Sequence, residues 1–283
     1  MSSQASYARP NSVEDAVALL APGTARILAG GTDFYPALGE RIVRDSVVDV
    51  SGLATLRGVS HQADRFRIGG LTTWTDIIRT PLPRCFDALK SAAREVGSVQ
   101  IQNRGTVAGN ICNASPAADG VPPLLALDAE VELTSASGVR LLPLGDFLVG
   151  NRKTQRRADE LLTAVLVPRT LENANSAFLK LGARRYLVIS IAMVAAVVRV
   201  GDDGRVLDAH IAVGSCSAVA CRLPVLEADL NGAIASGGLK DKVRPEHLAP
   251  LSPIDDLRAT GAYRKDAALQ LVQRALAMCV ESR

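Results

Sequence analysis

The sequence predicts an α+β fold in three consecutive units, and three observations predict it. Short strand-like runs alternate with amphipathic helical segments as far as about residue 175. Two long apolar runs separated by a tight turn follow, and the chain closes on a stretch with apolar residues at helical spacing. The units are placed at residues 1–58, 59–175 and 176–283.

In the first unit, Ser12 is set to cap a helix starting at Val13, and Asp15 completes a variant capping box. Ala16, Leu19 and Leu20 supply the apolar face, and Pro22-Gly23 ends the helix. Residues 26–29 read as a strand running into Gly30-Gly31, and residues 47–50 as a second strand closed by Ser51-Gly52. The second unit opens with a strand over 65–68 and the turn Gly69-Gly70. Thr73 caps a short helix over 74–79, and a longer helix over 84–96 carries Ala88, Leu89, Ala92 and Ala93 on one side and stops at Gly97. Residues 98–119 show little regular pattern and read as a long loop, a length that is usually functional inside a compact domain. A short helix over 122–127 comes next, then a strand over 130–134 with the turn Ser137-Gly138, a polar surface loop over 152–159, and a strand over 161–167 ended by Pro168. In the third unit, Gly201-Asp202-Asp203-Gly204 between apolar runs at 194–200 and 205–213 is a hairpin signal. Residues 263–280, with Leu269, Val272, Leu276 and Val280 at helical spacing, form the closing helix.

Bulk properties exclude several function classes. At about 150 residues per domain, 283 residues suit two domains with real cores. A net charge of +3 is too balanced for a polyanionic partner, and 4% aromatic residues are too few for a base-stacking surface, so no nucleic acid is expected. Arg152, Lys153, Arg156 and Arg157 read as a solvated loop rather than a docking patch. The longest apolar run, 187–198, is too short for a membrane span of about 20 residues and reads as a buried strand. The N-terminal MSSQASYARP lacks the apolar core of a signal peptide, so a cytoplasmic chain without membrane insertion is expected. Cys85, Cys112, Cys216, Cys221 and Cys279 are spread without metal-site spacing and read as free thiols, leaving no metal site in this chain. His61, His210 and His247 are isolated and read as surface or satisfied side chains, and Asp255 and Asp256 as structural carboxylates.

Two glycine-bearing turns carry the candidate chemistry. The first is Ile27-Leu28-Ala29-Gly30-Gly31-Thr32-Asp33-Phe34, the second Asn103-Arg104-Gly105-Thr106-Val107-Ala108-Gly109-Asn110. Glycine lets a backbone approach a ligand and point its N–H groups inward, and such concavities bind anions such as a pyrophosphate. Two of them could clamp one diphosphate from both sides. A strand followed by Gly-Gly is also a common plain turn, and neither segment matches the dinucleotide fingerprint or the P-loop.

The chain resembles the FAD-binding (medium) subunits of the molybdenum hydroxylases, related to the flavin domain of xanthine dehydrogenase and to the medium subunit of aerobic carbon monoxide dehydrogenase. Leu28-Ala29-Gly30-Gly31-Thr32-Asp33 is similar to that family's first flavin motif. The long segment from Ile101 through Asn103-Arg104-Gly105-Thr106-Val107-Ala108-Gly109-Asn110 to Asn113-Ala114-Ser115-Pro116-Ala117-Ala118-Asp119 is similar to the second. Ser252-Pro253-Ile254-Asp255-Asp256-Leu257-Arg258, followed by Tyr263-Arg264, resembles the family's C-terminal domain.

The resemblance implies a two-lobed FAD-binding domain of the vanillyl-alcohol-oxidase-like type followed by an α+β C-terminal domain. It implies that the backbone of Ile27 to Phe34 and of Thr106 to Asn110 holds the FAD diphosphate and neighbouring sugar oxygens. Ser115 and Asp119 would offer hydrogen bonds to the flavin or its sugar chain, and Leu162 would pack on the adenine side. Lys180 would lie near the isoalloxazine, where a cation favours the reduced, anionic ring, and Tyr186 would cover the ring and gate acceptor access. No side chain is expected to act as a catalytic acid, base or nucleophile. The implied partners are a large subunit with a molybdenum cofactor and a small subunit with two [2Fe–2S] clusters, assembled as a dimer of heterotrimers. Electrons would pass from the clusters to FAD and on to an external acceptor. A stand-alone FAD oxidoreductase and a flavin-free assembly protein are the competing readings. One position departs from the family pattern: Ala108 stands where a glycine is usual, and a left-handed backbone there would strain alanine.

Overall fold

The computed structural model describes residues 6–281, so Met1–Ala5 at the start of the first unit and the last two residues of the third lie outside the described residues. In the first unit, β1 (Tyr7–Ala8), α1 (Val13–Leu20), β2 (Arg26–Leu28), α2 (Phe34–Leu38) and β3 (Val47–Asp49) form a small parallel sheet in the order β1-β3-β2. Ser12 caps α1 by accepting from the Asp15 amide at 3.0 Å. The buried face of α1 is Ala16, Val17 and Leu20, while Leu19 points outward, a shift of the expected apolar face by one position. The two-residue β1 is too short for a sequence pattern to announce; the Tyr7 hydroxyl, hydrogen-bonded to the Asp49 carboxylate, ties it to the end of β3.

The second unit is an antiparallel five-stranded sheet with helices on one side. Its elements are β4 (Val59–His61), β5 (Arg65–Gly69), α3 (Trp74–Arg79), α4 (Asp87–Glu95), α5 (Val99–Gln102), α6 (Val107–Asn113), α7 (Val121–Ala126), β6 (Glu130–Ser135), β7 (Gly138–Pro143), α8 (Leu144–Phe147), the small ladder β8 (Leu148–Gly150) and β9 (Lys153–Thr154), and β10 (Leu161–Pro168). The order is β4-β5-β10-β6-β7, so β10 enters the middle of the sheet last. Seven of the eight residues of β10 are buried, which explains its unbroken apolar run. Thr73 and Asp76 form a complete capping box at the start of α3. Residues 98–119 are not a single irregular loop: α5 and α6 lie inside them. Their helical pattern is hard to read because only Val99, Ile101, Val107 and Ile111 are large apolar residues, set among glutamine, glycine and asparagine. A cap at Thr106, whose Oγ1 accepts from the Gly109 amide at 3.0 Å, starts α6 all the same.

The third unit is the antiparallel sheet β11 (Asn175–Leu181), β12 (Ala192–Val200), β13 (Val206–Gly214) and β14 (Cys221–Arg222), with α9 (Pro224–Leu230) and α10 (Gly261–Glu281). The apolar run at 187–198 is divided. Leu187 and Ile189 are exposed, and the strand begins only at Ala192. From there side chains alternate between two cores: Met193, Ala195 and Val197 join the core of the second unit, and Ala192, Val194, Ala196 and Val198 face α10. Burial on both faces makes the run continuous in sequence and joins the third unit rigidly to the second.

The histidines are satisfied or at the surface. His210 Nδ1 lies 2.9 Å from the Ala126 carbonyl, buried His247 accepts from the Arg244 amide at 3.0 Å, and His61 stacks edge-on against Phe66. Burial pushes the thiols of Cys85 and Cys279 up to about 12, and those of Cys112 and Cys216 up to about 11, so they stay protonated packing groups. Among the described residues no helix is long and apolar enough to cross a membrane.

Glu160, immediately before β10, is 2% exposed in its side chain. Burial pushes its carboxyl up, but Arg140, at 2.6 and 2.9 Å, and the Arg157 amide, at 2.7 Å, more than offset this and hold it below its ordinary value of 4.5. A lowered folded value means that the stabilisation is complete above pH 4.5 and is lost as pH falls through the folded value. Glu160→Gln is therefore expected to lower the melting temperature at neutral pH and to reduce its further fall on acidification, measured by thermal melts along a pH series. An acid limb identical to the parent's would count against this linkage.

Candidate cofactor-binding site

The two glycine motifs meet through their backbones. β2 ends at Leu28 and leads Ala29-Gly30 directly onto the loop before α6. A Cβ on Gly30 would lie 1.9 Å from the Arg104 carbonyl oxygen, a distance no side chain tolerates. Gly30 is thus required by the backbone contact between the two motifs. Gly31, at φ +76°, then turns the chain into α2. On the other side, the Trp74 amide donates to Gly105 O at 3.2 Å, the Val107 amide to Thr72 O at 2.9 Å and the Ala108 amide to Gly70 O at 3.3 Å. These bonds stitch the second motif to the turn between β5 and α3.

Beside this contact lies a cleft of about 560 Å³, within the usual range for ligand pockets. Ile27, Ala29, Gly30, Gly31, Thr32, Asp33 and Phe34 line it from the first unit. Thr106, Ala108, Gly109, Asn110 and Leu162 line it from the second. Leu28 and Val107 do not: both are buried and support the wall from behind. Ala108 sits in the first turn of α6, is not among the left-handed residues and is 8% exposed, so alanine carries no backbone strain there. Arg26, also in the wall of the cleft, lies over the Phe34 ring, 4.6 Å from its centroid, and Leu161 lines the cleft with Leu162. Cys112 also lines the wall as a partly buried packing residue.

The basic loop at 152–159 is structured rather than merely solvated. Arg152, left-handed at φ +54°, donates to Asn113 Oδ1 at 2.6 Å and to Asp33 Oδ2 at 3.3 Å, linking the ends of the two motifs. Arg156 lines the cleft, and its guanidinium donates to the carbonyls of Arg157 at 2.8 Å and Glu160 at 2.7 Å. Neither role has a local sequence signature, because each depends on partners brought by another element.

Ser115, Asp119, Lys180 and Tyr186 are not among the residues lining the cleft. Ser115 Oγ accepts from the Ala117 amide at 3.3 Å. Asp119 accepts from Lys180 Nζ at 2.7 Å and from Ser190 Oγ at 2.7 Å, with both charged side chains less than a tenth exposed. Burial pushes the Asp119 carboxyl up, and the Lys180 charge opposes that shift. Lys180 is therefore a member of a buried ion pair rather than a solvated strand-end charge or a free cation. Tyr186 is 64% exposed, its hydroxyl accepting from Arg185 Nε at 2.9 Å. Asp255 and Asp256 are structural: Asp255 accepts from the Gly261 amide at the start of α10, and Asp256 from the Arg258 amide, Ala259 amide and Arg264 guanidinium.

Comparison with known families matches residues 2–170 to the FAD binding domain in molybdopterin dehydrogenase, and residues 177–279 to the CO dehydrogenase flavoprotein C-terminal domain. The chain is an FAD-binding medium subunit of the molybdenum hydroxylase family. It is 34% identical over 274 residues to the xanthine dehydrogenase FAD-binding subunit of Escherichia coli O157:H7, covering 95% of this chain and 92% of that one. It is 31% identical over 273 residues to the nicotine 6-hydroxylase medium subunit of Paenarthrobacter nicotinovorans, covering 95% of each chain. Its fold superposes on the carbon monoxide dehydrogenase structure from Hydrogenophaga pseudoflava with a TM-score of 0.86 and 29% identity, covering 99% of this chain and 98% of that one. The chain is thus the FAD subunit of an oxidoreductase of this family.

The residues present fit FAD. The cleft combines glycine backbone at Gly31 and Gly109 with apolar lining at Leu161 and Leu162. Asn110, in its wall, holds a buried side-chain oxygen with no partner in the protein, an acceptor that a ligand hydroxyl or N–H would satisfy.

Two substitutions separate contact from conformation. Gly30→Ala, which drives a methyl into the Arg104 carbonyl, is expected to cost about 1–3 kcal/mol in chemical denaturation. Ala108→Gly, which restores the family's usual residue, is expected to destabilise by about 0.5–1 kcal/mol, because the position is helical. A stabilised Ala108→Gly chain would contradict the helical assignment.

Proposed function

We propose that this chain is the electron-relay subunit of a molybdenum hydroxylase complex. It takes electrons from [2Fe–2S] clusters of a small partner chain, fed by a large partner that holds the molybdenum cofactor, and passes them to an external acceptor. The observation that carries the reading is the cleft of about 560 Å³ walled by both glycine motifs, with an unpaired acceptor on Asn110. The relatives support the partners: one is a carbon monoxide dehydrogenase described as lacking the Mo-pyranopterin moiety of the molybdenum cofactor, and another is the medium subunit of a nicotine hydroxylase. A dimer of heterotrimers in the cytoplasm accords with the same reading.

FAD, when bound, supplies a centre that takes up and releases electrons. The chain's own residues bind and orient it. The amides of Gly31 to Phe34 and of Thr106 meet the diphosphate and sugar oxygens, where N–H groups oppose negative charge without a mobile counter-ion, while the amides of Val107 to Asn110, already bonded within the protein, hold the second wall in shape. Leu162, with Leu161 and the stacked Arg26 and Phe34, forms the end suited to the adenine. The Lys180–Asp119 pair and Ser115, set behind the second motif, shape the field and position of that loop on the isoalloxazine side. Being paired, Lys180 and Asp119 act as a dipole there. Tyr186, exposed on the loop after β11, would cover the ring.

The first test is the visible absorption spectrum of the purified chain, with the released cofactor identified by mass and co-purifying chains identified. Bound FAD together with two further chains is the expected result. A folded chain that stays colourless with added FAD, alone and with its partners, would overturn the reading. Asn110→Ala gives a sharper signature. Removing a buried, unpaired acceptor should leave the melting temperature of the FAD-free chain unchanged or raise it. Loss of the ligand hydrogen bond should weaken FAD binding by about tenfold. An equal FAD affinity in parent and variant would remove Asn110 from the site.

A further inference from the structure

Arg264 lies on the first turns of α10 with a side chain only 4% exposed. Its Nη1 donates to the Ile191 carbonyl at 2.5 Å and to the Ser215 carbonyl at 3.1 Å, and its Nη2 to Asp256 Oδ1 at 2.8 Å. Its Nε, also buried, has no partner. A buried guanidinium with one unsatisfied N–H is a costly way to hold a helix against a sheet, and an apolar residue would pack there more cheaply. The geometry it imposes accounts for it better than stability does.

The two carbonyls belong to segments that leave the sheet at the same end, since Met193 of β12 pairs with Gly214 of β13. Each segment makes one contact with the end of the second glycine motif. Ser190, next to Ile191, donates to Asp119 at 2.7 Å, and the Ser215 amide donates to the Pro116 carbonyl at 3.0 Å. Ser215 is held left-handed at φ +63°, a conformation that persists only where its surroundings fix it. The loop it grips follows α6 through left-handed Ala114, and α6 carries Ala108, Gly109 and Asn110 in the cleft wall.

We propose that Arg264 is a positioning residue for the cofactor cleft. One guanidinium fixes two of the joints through which the third unit holds residues 115–119, beside the Lys180–Asp119 pair, and so sets the placement of α6. The inference rests on the flavin reading of the cleft and adds a residue on the other side of the sheet that governs it. α10 thus acts on the cleft without touching it.

The test uses the full chain and three variants. Hydrogen exchange of the Ala117, Ala118 and Asp119 amides is measured without FAD, and FAD affinity is measured by titration. Arg264→Met should speed exchange at these amides by at least about tenfold and weaken FAD binding by a similar factor. Arg264→Lys, which can reach one carbonyl but not both, should recover part of each effect. Leu276→Ala, which opens a cavity under the same helix far from the joints, should lower the melting temperature while leaving both readouts close to the parent. Arg264→Met with parental exchange and parental affinity overturns the proposal. So does a Leu276→Ala chain that reproduces both losses, since general loosening would then suffice. A parent that takes up no FAD overturns the flavin reading, and with it the role assigned to Arg264, even where Arg264→Met still loosens the loop.

Discussion

The contact between Gly30 and the Arg104 carbonyl is the constraint on which the cleft depends. With the ideal Cβ position only 1.9 Å from that oxygen, the parallel sheet of the first unit can approach the second only where residue 30 has no side chain. Every other feature of the cleft follows from that approach. Gly31 turns away from the contact, Thr106 caps a helix leading away from it, and the space between becomes a groove with exposed backbone on both sides. Backbone amides serve well here because their dipoles are fixed by the fold and need no reorganisation when an anion arrives.

Charge around the cleft is managed by pairing. Arg152 joins Asp33 and Asn113 across the motif ends, Arg156 Nη1 donates to backbone carbonyls, and Lys180 is neutralised by Asp119. A chain with 32 basic and 29 acidic residues can therefore present a groove for a diphosphate without an exposed basic patch. The Lys180–Asp119–Ser190 network also joins the third unit to the second motif, so the electrostatics and the mechanics of that loop rest on the same bonds.

The legible parts of the fold are those set by neighbours in sequence. Ser12, Thr73 and the Gly201–Gly204 turn announce α1, α3 and the β12–β13 hairpin because each acts on residues two to four positions away. The spacing of Val272, Leu276 and Val280 announces α10 for the same reason. α5 and α6 are obscured because each is short and their few apolar residues are mixed with glutamine in α5 and with glycine and asparagine in α6. The run at 187–198 was misjudged at its start, since an apolar composition does not distinguish an exposed loop at Leu187 and Ile189 from the strand after it. In the site, both glycine motifs stand out in sequence, but their direct contact does not. Lys180 and Asp119 are 61 positions apart, and Arg152 and Asp33 are 119 apart; only the completed topology brings them together.

The central strand of the second sheet has a consequence for how the chain is made. β10 lies between β5 and β6, yet it is synthesised after both, and Leu161 and Leu162 at its start also line the cleft. Until residue 168 has emerged from the ribosome, β5 and β6 each expose an unpaired edge and the groove lacks part of its wall. A nascent chain can form α1, α3 and the β6–β7 hairpin early, but it cannot close its cofactor groove until more than half of it has been translated. Cofactor capture is therefore a late event in biogenesis, and a message truncated before β10 encodes a chain prone to aggregation through its open strand edges.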